Sequence, residues 1–210
     1  MKVKSFTFNP LMENSYVVYD ETKSCAIIDP GCCCSAEEDE LKAFVEKEGL
    51  KPELLLNTHL HFDHIWGNPM VMKEYGLKPK ANVADKVFLD GGQLQFHGLP
   101  EDLNSLRFDV DWIGEGDKLT FGNTTLSVLQ TPGHSQGSVC YYCSEDGELF
   151  SGDTLFRMSV GRSDFPGGSH ESLLDSIYVK LFSLPDDTKI YPGHGPFSTI
   201  IDEKTYNPYV

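Results

Sequence analysis

The residues of this chain best equipped for chemistry lie in the heptapeptide THLHFDH at positions 58–64. It contains His59, His61, Asp63 and His64, so three of the chain's seven histidines fall within six consecutive positions. Such crowding is unfavourable for histidines that protonate, because neighbouring positive rings repel each other. Neutral imidazole and carboxylate groups are, by contrast, common protein ligands of zinc and related ions. The cluster therefore predicts a metal site.

The spacing within this cluster favours two metal ions over one. Residues two apart on an extended segment face the same way, so His59 and His61 can reach the same ion. Asp63 and His64 follow where the chain turns towards a helix, and they face another side. Four ligands cannot all reach one ion without strain, whereas two neighbouring ions accommodate them.

Three further candidate ligands each follow an apolar strand later in the chain. His134 lies in TPGHS, Asp153 in SGDTLF and His194 in PGHGP. Open α/β sheets place functional side chains at the carboxyl ends of their strands. Each of the three, taken alone, is most simply a turn residue or a helix cap. Taken with the histidine cluster, they indicate additional metal ligands.

The elements that must position these residues alternate between strands and helices. Helices are predicted between a cap at Ser35 and a stop at Gly49, over 65–75 and over 171–183. This order predicts an α/β fold with helices outside the sheets, in a single domain spanning residues 1–210. The predicted strands are 2–8, 15–19, 25–28, 54–56, 118–121, 125–130, 139–143, 148–150 and 190–191.

Residues 85–109 form the least regular segment, because Gly-Gly, Gly98 and Pro100 interrupt any long element. We predict a partly helical excursion whose apolar side chains cover the metal site. Phe96 is the candidate substrate contact on this excursion. The alternative is a surface excursion that packs only on its own domain.

Composition and charge narrow the function classes. The formal net charge of −15 disfavours a nucleic-acid partner, because a polyanion would be repelled over most of the surface. No apolar run is long enough to cross a bilayer, and the first residues lack a secretory signal. A cytoplasmic location without membrane attachment is therefore expected. In that reducing compartment the six cysteines are expected to be thiols.

Taken together, these motifs resemble the metallo-β-lactamase superfamily. HxHxDH, TPGHS, GDTLF and PGHG occur in that family's order, from about Asn14 to about Pro196. The resemblance implies an αββα sandwich of four layers, with a dinuclear metal site at the edge of the two sheets. It implies two divalent ions, with zinc expected first and iron or manganese compatible.

The resemblance also implies a role for each candidate ligand. One ion would be bound by His59, His61 and His134, and the second by Asp63, His64 and His194. Asp153 would bridge the two ions. Asp29, at the end of its strand, is expected to hydrogen-bond a metal ligand rather than to bind an ion, although a plain turn aspartate is an equal alternative.

Within the superfamily, IDPG at 28–31, GDTLF at 152–156 and VGRSDFPGG at 160–168 look like glyoxalase II-type hydrolases of the short bacterial form. That resemblance implies hydrolysis of a small thioester such as S-lactoylglutathione by a metal-bound hydroxide, which Asp63 would orient as a catalytic residue. Arg162 is a candidate substrate contact. Longer enzymes of this type carry a C-terminal helical extension that forms part of the glutathione pocket, and this chain is expected to lack it.

Other functions stay open alongside the thioester hydrolase. A persulfide dioxygenase with one iron ion would use a subset of the same ligands, and a lactonase would differ in pocket shape. A non-catalytic zinc protein is disfavoured, because structural zinc sites are closed. A β-lactamase is disfavoured because those enzymes are secreted and commonly place cysteine where Asp153 stands. The acyl group, the thiol and the oligomeric state are not indicated by the sequence.

Overall fold

The computed structural model describes residues 1–91 and 106–210. The chain divides into two compact units. The N-terminal unit comprises residues 1–112 and 121–124, and the C-terminal unit comprises residues 113–120 and 125–210. The organisation of the chain as a single domain stays a prediction. Phe96, the predicted substrate contact, lies outside the described residues.

The N-terminal unit is built on a mixed sheet of six strands that follow chain order. Its strands are β1 (Lys2–Phe8), β2 (Glu13–Tyr19), β3 (Ser24–Ile28), β4 (Lys51–Leu56), β5 (Pro79–Asn82) and β6 (Asp111–Ile113). The first three pair antiparallel, whereas β3, β4 and β5 pair parallel. Strand β4 has a parallel neighbour on each edge, so its carboxyl end is held in a fixed position and orients the residues that follow.

Helix α1 (Ser35–Glu48) connects the parallel strands β3 and β4 and buries Leu41 and Val45. It ends at Gly49, as predicted, in the left-handed conformation that glycine adopts readily (φ 64°). The predicted cap at Ser35 is wrong by one residue, because Cys34 is the extended residue that precedes the helix. Cys34 makes no side-chain cap bond, and the Glu37 carboxylate instead accepts the backbone N–H of Cys33 at 2.8 Å.

The helix predicted over 65–75 is in fact two helices, α2 (Phe62–Ile65) and α3 (Asn68–Tyr75). The break arises because the N–H of Gly67 donates to Pro30 O at 2.7 Å, outside the helical pattern. Pro69 lies in the first turn of α3, as predicted. A 3-10 turn (Val83–Asp85) and the short helix α4 (Lys86–Leu89) follow β5.

The C-terminal unit holds most of a second sheet of six strands and a small hairpin. Its strands are β7 (Lys118–Phe121), β8 (Thr124–Gln130), β9 (Val139–Cys143), β10 (Glu148–Gly152), β13 (Lys189–Pro192) and β14 (Ser198–Thr199), with β11 (Leu155–Phe156) and β12 (Ser159–Val160) forming the hairpin. The sheet order is β14-β13-β10-β9-β8-β7, and β10 and β13 run parallel. Each strand predicted from the sequence is present, with ends that differ by at most three residues.

The helix predicted over 171–183 is correct in extent but not uniformly α-helical. Helix α5 (His170–Asp175) continues as a π-helical turn (Ser176–Lys180) and a 3-10 turn (Leu181–Ser183). Its apolar side packs in a buried cluster with residues of β9, β10 and β13. Helix α6 (Ile200–Tyr206) ends the described elements.

All six cysteines are free thiols; Cys33 and Cys34 are exposed and the other four are buried. Within the described residues, no helix combines the length and the apolar character that crossing a bilayer requires.

Candidate metal centre

The first group of candidate ligands lies in the N-terminal unit, just beyond the carboxyl end of β4. His59 precedes α2, and His61 is the extended residue at its start (φ −68°, ψ 147°). Asp63 and His64 lie within the helix, and all four side chains are buried. The structure thus brings together the four residues of HxHxDH, as the spacing predicts.

The three imidazoles of this group are in contact. The His59 ring centroid lies 4.6 Å from that of His61 and 4.1 Å from that of His64. His64 Nε2 lies 3.7 Å from Asp63 Oδ2. Asp29, His59 and His64 each offer a ligand atom within 4.8 Å of the others. Rings packed this closely would repel one another if protonated, so the geometry favours neutral imidazoles with lone pairs to donate.

Asp29 organises two of these histidines. Its carboxylate accepts the N–H of Thr58 at 2.7 Å, the hydroxyl of Thr58 at 2.6 Å and Nδ1–H of His64 at 3.1 Å. Because the Thr58 hydroxyl donates to Asp29, its oxygen accepts from Nδ1 of His59 at 3.1 Å. Both imidazoles are therefore protonated on Nδ1, and both keep an Nε2 lone pair for a metal ion. The sequence pointed to Asp29 but missed Thr58.

Glu13, at the start of β2, is a second buried carboxyl that sequence reasoning missed. Its Oε1 lies 3.9 Å from Nδ1 of His64, and its Oε2 accepts the hydroxyl of Ser15 at 2.8 Å. Burial raises the pKa of the Glu13 carboxyl well above its usual range, and the neighbouring His64 opposes that shift. A glutamate at the start of a strand carries no sequence signal of its own, because such residues are usually exposed.

The second group of candidate ligands lies in the C-terminal unit, at the ends of three strands. His134 follows β8, Asp153 follows β10 and His194 follows β13. A single atom, Asp153 Oδ2, lies 3.5 Å from Nε2 of His134 and 3.6 Å from Nε2 of His194. Both imidazoles thus present Nε2 to one carboxylate oxygen. The three lone polar residues, ambiguous one by one in the sequence, converge in the fold.

The tract VGRSDFPGG supports this second group mainly through its backbone. Nδ1 of His134 donates to the backbone carbonyl of Arg162 at 2.7 Å, so Nε2 of His134 carries the lone pair. A Cβ atom on Gly161 would lie 1.7 Å from the carbonyl oxygen of Asp153, so only glycine permits this approach. Gly161 and Arg162 therefore contact two candidate ligands, Asp153 and His134.

The Arg162 side chain itself is exposed and already occupied. It forms a bidentate ion pair with Asp164, at 3.0 and 2.8 Å, and its guanidinium lies 4.3 Å from the centroid of the Phe165 ring. The Asp164 carboxylate raises the pKa of the guanidinium. A substrate anion would have to compete with Asp164 for this side chain.

The chemistry of both groups fits divalent metal ions. Each group combines imidazole nitrogen with carboxylate oxygen, the donor set that suits zinc, iron and similar ions. His59, His64 and His134 have Nδ1 hydrogen-bonded, which puts the lone pair on Nε2, as in metal-bound histidines. Buried carboxylates such as those of Asp29 and Asp63 are also costly without a compensating positive charge.

This chain belongs to the metallo-β-lactamase superfamily, whose family model matches residues 8–194. The probable metallo-hydrolase YqgX of Bacillus subtilis is 34% identical over 211 residues, covering 100% of this chain and 98% of that protein. The hydroxyacylglutathione hydrolase GloC of Haemophilus influenzae is 33% identical over 213 residues, with the same two coverages. The family predicted from the motifs is thereby confirmed, and its members bind divalent metals.

Solved structures confirm the predicted metallo-β-lactamase fold. The crystal structure of the B3 metallo-β-lactamase BLEG-1 matches with a TM-score of 0.89 and 36% identity, covering 99% of each chain. The crystal structure of TTHA1623 in a di-iron-bound form matches with a TM-score of 0.85 and 36% identity, covering 99% of this chain and 100% of that one. The second structure is a relative with two metal ions bound.

Proposed function

We propose that this chain is a metal-dependent hydrolase of small thioesters such as S-lactoylglutathione. The observation that carries the proposal is the position of Asp153 Oδ2, nearly equidistant from Nε2 of His134 and of His194. A carboxylate that two histidines approach in this way suits sharing between two metal ions, the centre that many hydrolases use. The similarity to a hydroxyacylglutathione hydrolase supports the choice of thioester.

The ligand assignment of the proposal follows the family's motif order. His59, His61 and His134 would hold one ion, and Asp63, His64 and His194 would hold the other, with Asp153 shared. Zinc is the first candidate for both ions. Iron is the alternative, supported by the relative that was crystallised in a di-iron-bound form.

When bound, two such ions supply Lewis acidity towards a carbonyl and lower the pKa of water to about 7. The chain's own residues then have defined tasks. Asp63 orients the attacking water through a carboxylate oxygen, and Asp29 holds the imidazole of His64 in one tautomer. Hydrolysis forms one bond from the acyl carbon to water oxygen and breaks the carbon–sulfur bond, releasing a carboxylic acid and a thiol.

Recognition of the anionic part of such a substrate is assigned to Arg162. Because the chain's net charge is −15, a local cation favours the binding of a substrate that bears carboxylates. Because Asp164 already neutralises this guanidinium, the contribution of Arg162 is modest. We expect it to affect KM more than kcat.

A second candidate activity is the hydrolysis of β-lactams. It is favoured by one observation, the 36% identity to the B3 metallo-β-lactamase BLEG-1 over 99% of each chain. The same ligand set and the same attacking water would serve an amide carbonyl. The thioester stays the first choice because GloC, at 33% identity, is named as a hydroxyacylglutathione hydrolase.

A substrate panel tests these assignments. Protein stripped of metal is reloaded with zinc, iron or manganese and assayed with S-lactoylglutathione, a simple lactone, a β-lactam and glutathione persulfide. S-lactoyl-N-acetylcysteamine, which presents the same acyl thioester on a short thiol, is the matched control for the glutathione half. We expect metal-dependent cleavage of both thioesters. A kcat/KM at least about tenfold higher for the glutathione thioester would show that this chain also recognises the glutathione half.

Other results of the panel point elsewhere. Oxygen uptake with glutathione persulfide and one iron per chain would identify a dioxygenase. Faster cleavage of the lactone or the β-lactam would replace the thioester as substrate class. No turnover of any substrate by a protein loaded with two ions would remove the proposed activity altogether.

A further inference from the structure

Asn9 occupies an unusual position between β1 and β2. Its backbone is left-handed (φ 54°), a conformation that asparagine tolerates better than most residues. Its neighbours Pro10, Leu11 and Met12 are exposed, yet Asn9 itself is buried. A polar side chain drawn inward from an exposed loop needs partners of its own.

The side-chain amide of Asn9 joins two distant segments. Its Nδ2 group donates to the carbonyl of Gly31 at 3.0 Å and to the carbonyl of Asp63 at 3.1 Å, while its Oδ1 accepts the N–H of Leu11 at 2.9 Å. The first segment leads from Asp29, and the second is the ligand-bearing helix α2. The N–H of Asn9 in turn donates to Glu37 Oε1 at 2.8 Å, which fixes the loop to α1.

The bond to Asp63 replaces a bond that the helix does not make. In an α-helix the carbonyl of Asp63 would accept the N–H of Gly67, four residues later. The N–H of Gly67 instead donates to Pro30 O at 2.7 Å, because α2 ends at Ile65. Asn9 supplies a donor to the carbonyl of Asp63 in its place.

The surrounding backbone leaves little room for adjustment. A Cβ atom on Gly31 would lie 2.4 Å from Asp63 O and 2.8 Å from Asn9 Nδ2. The segments of Asn9, Gly31 and Asp63 are therefore in close backbone contact. The carbonyl of His64, one residue along, is held in a similar way by Nδ2 of Asn57 at 3.2 Å.

We propose that Asn9 is a positioning residue for Asp63, acting through the backbone of the helix that carries this carboxylate. The proposal rests on the proposed function insofar as Asp63 is taken as a ligand of the second metal ion. Loss of the Nδ2 donor should release the turn and weaken the second ion, while the ion bound by His59 and His61 is retained.

Two variants test the proposal in the full-length chain. Asn9→Asp keeps the shape and the acceptor for Leu11 but turns the donor into an acceptor that repels both carbonyls. Asn9→Gly keeps the left-handed backbone and removes the amide without adding charge. The matched control is Asn123→Asp, because Asn123 is exposed and its Nδ2 donates to Glu21, which is also exposed, at 2.8 Å.

The measurement is titration of metal-free protein with Zn²⁺ against a competing chelator. We expect two ions in the wild type and in Asn123→Asp. In both Asn9 variants we expect the first Kd to be unchanged and the second to be weakened at least about tenfold, the usual loss when a residue supporting a metal ligand is removed. The d–d absorption spectrum of the Co²⁺-loaded protein should lose the contribution of the second ion.

The other outcomes overturn the proposal in distinguishable ways. Unchanged Kd values with a lower free energy of unfolding, or failure of both variants to fold, would make Asn9 a purely structural residue. A wild-type protein that binds fewer than two ions would defeat the two-ion function itself, before any variant is compared.

Discussion

The two groups of candidate ligands are held in place by different means. In the N-terminal unit both histidines depend on one side chain, Asp29. Nδ1–H of His64 donates directly to the Asp29 carboxylate, and Nδ1–H of His59 donates to the hydroxyl of Thr58, which itself donates to Asp29. In the C-terminal unit the Nδ1 proton of His134 goes to a backbone carbonyl, that of Arg162. A carboxylate adds negative charge and can be removed by one substitution. A carbonyl is neutral and depends only on the path of the chain.

The two groups also differ in how they are encoded. The first comes from six consecutive residues, and the second from three strand ends about twenty to forty residues apart. Both nevertheless rely on one glycine that lets a neighbouring segment touch the carbonyl of an aspartate. Gly31 approaches Asp63 in the first group, and Gly161 approaches Asp153 in the second. This shared feature gives a matched pair of substitutions.

The largest effect is expected from alanine at these glycines. Gly161→Ala places a Cβ 1.7 Å from Asp153 O, so the carboxylate that we propose both ions share must move, and both ions should be lost. Gly31→Ala places it 2.4 Å from Asp63 O, so only the second ion should be lost. Elemental analysis after zinc loading should give close to zero ions per chain for Gly161→Ala and close to one for Gly31→Ala. Gly114→Ala is the control, because its nearest neighbour is a flexible Gln130 side chain at 3.9 Å.

Asp63→Asn should have the next largest effect. The substitution keeps the size of the side chain but removes the negative charge that, in the proposed function, would hold the second ion and orient the attacking water. We expect one ion to be lost and kcat for the thioester to fall at least about 10²-fold, the scale of losing a positioned catalytic group. Thioester hydrolysis near the wild-type rate would contradict the two-ion mechanism. A dioxygenase would instead keep one iron and most of its oxygen uptake.

Asp29→Asn tests the side-chain support of the first group directly. The backbone of Asp29 is left-handed (φ 47°), which asparagine tolerates, so the fold should survive. An amide accepts hydrogen bonds less strongly than a carboxylate and lacks its charge. Because Asp29 supports His64 directly and His59 through Thr58, and these two histidines are assigned to different ions, we expect the Kd of both zinc ions to rise, by about 10- to 100-fold for the ion that His64 would bind, as measured by competition with a chelator.

Arg162→Ala is the matching substitution for the second group, since Arg162 supports His134 as Asp29 supports His64. Its effect on zinc affinity should be much smaller than that of Asp29→Asn. The carbonyl that accepts from His134 is still present, so zinc affinity should change less than about twofold. KM for the glutathione thioester should rise if the guanidinium contacts substrate. A loss of zinc equal to that in Asp29→Asn would show that the carbonyl position depends on the side chain.

Much of the ligand set follows from the sequence for a physical reason. Metal ligands need particular atoms, so histidine and aspartate at a strand end are visible without any coordinates. The seven candidates named from the motifs fall into two converging groups. Supporting residues leave no such mark. Thr58 and Asn9 act through hydrogen bonds that other polar residues could also make, and Asn9 lies 54 positions from its partner Asp63. Glu13 acts on His64 only by its charge, from 3.9 Å.

The smallest effect concerns the exposed thiols at the start of α1. In Cys34→Ser, Cys33 is the one exposed thiol among the five cysteines that remain. Burial, and then the Glu37 carboxylate, raise the pKa of the Cys33 thiol to about 11. Its rate of reaction with a thiol reagent should therefore rise about tenfold per pH unit from pH 8 and level off only near pH 11, because the thiolate is the nucleophile. A plateau near pH 9 would contradict the shift.

Cys140 and Cys143 should react differently from Cys33. Both are buried in the C-terminal unit, whereas Cys33 is exposed in the N-terminal unit. They should stay unlabelled in the folded protein at every pH below 9. Burial raises the pKa of the Cys140 thiol to about 11, so the neutral thiol stabilises the fold below about pH 9. That contribution should be lost as the pH rises to about 11.

The sequence alone determined the family, the order of the strands along the chain and the identity of the candidate ligands, because these depend on residue types and local periodicity. Only the tertiary structure decided that α2 stops at Ile65, that helix α5 continues through a π-turn, and that Arg162 serves His134 through its carbonyl while its side chain pairs with Asp164. Each of these depends on hydrogen bonds between segments far apart in the chain. Local pattern cannot specify them, because a backbone N–H or C=O is the same chemical group at nearly every residue.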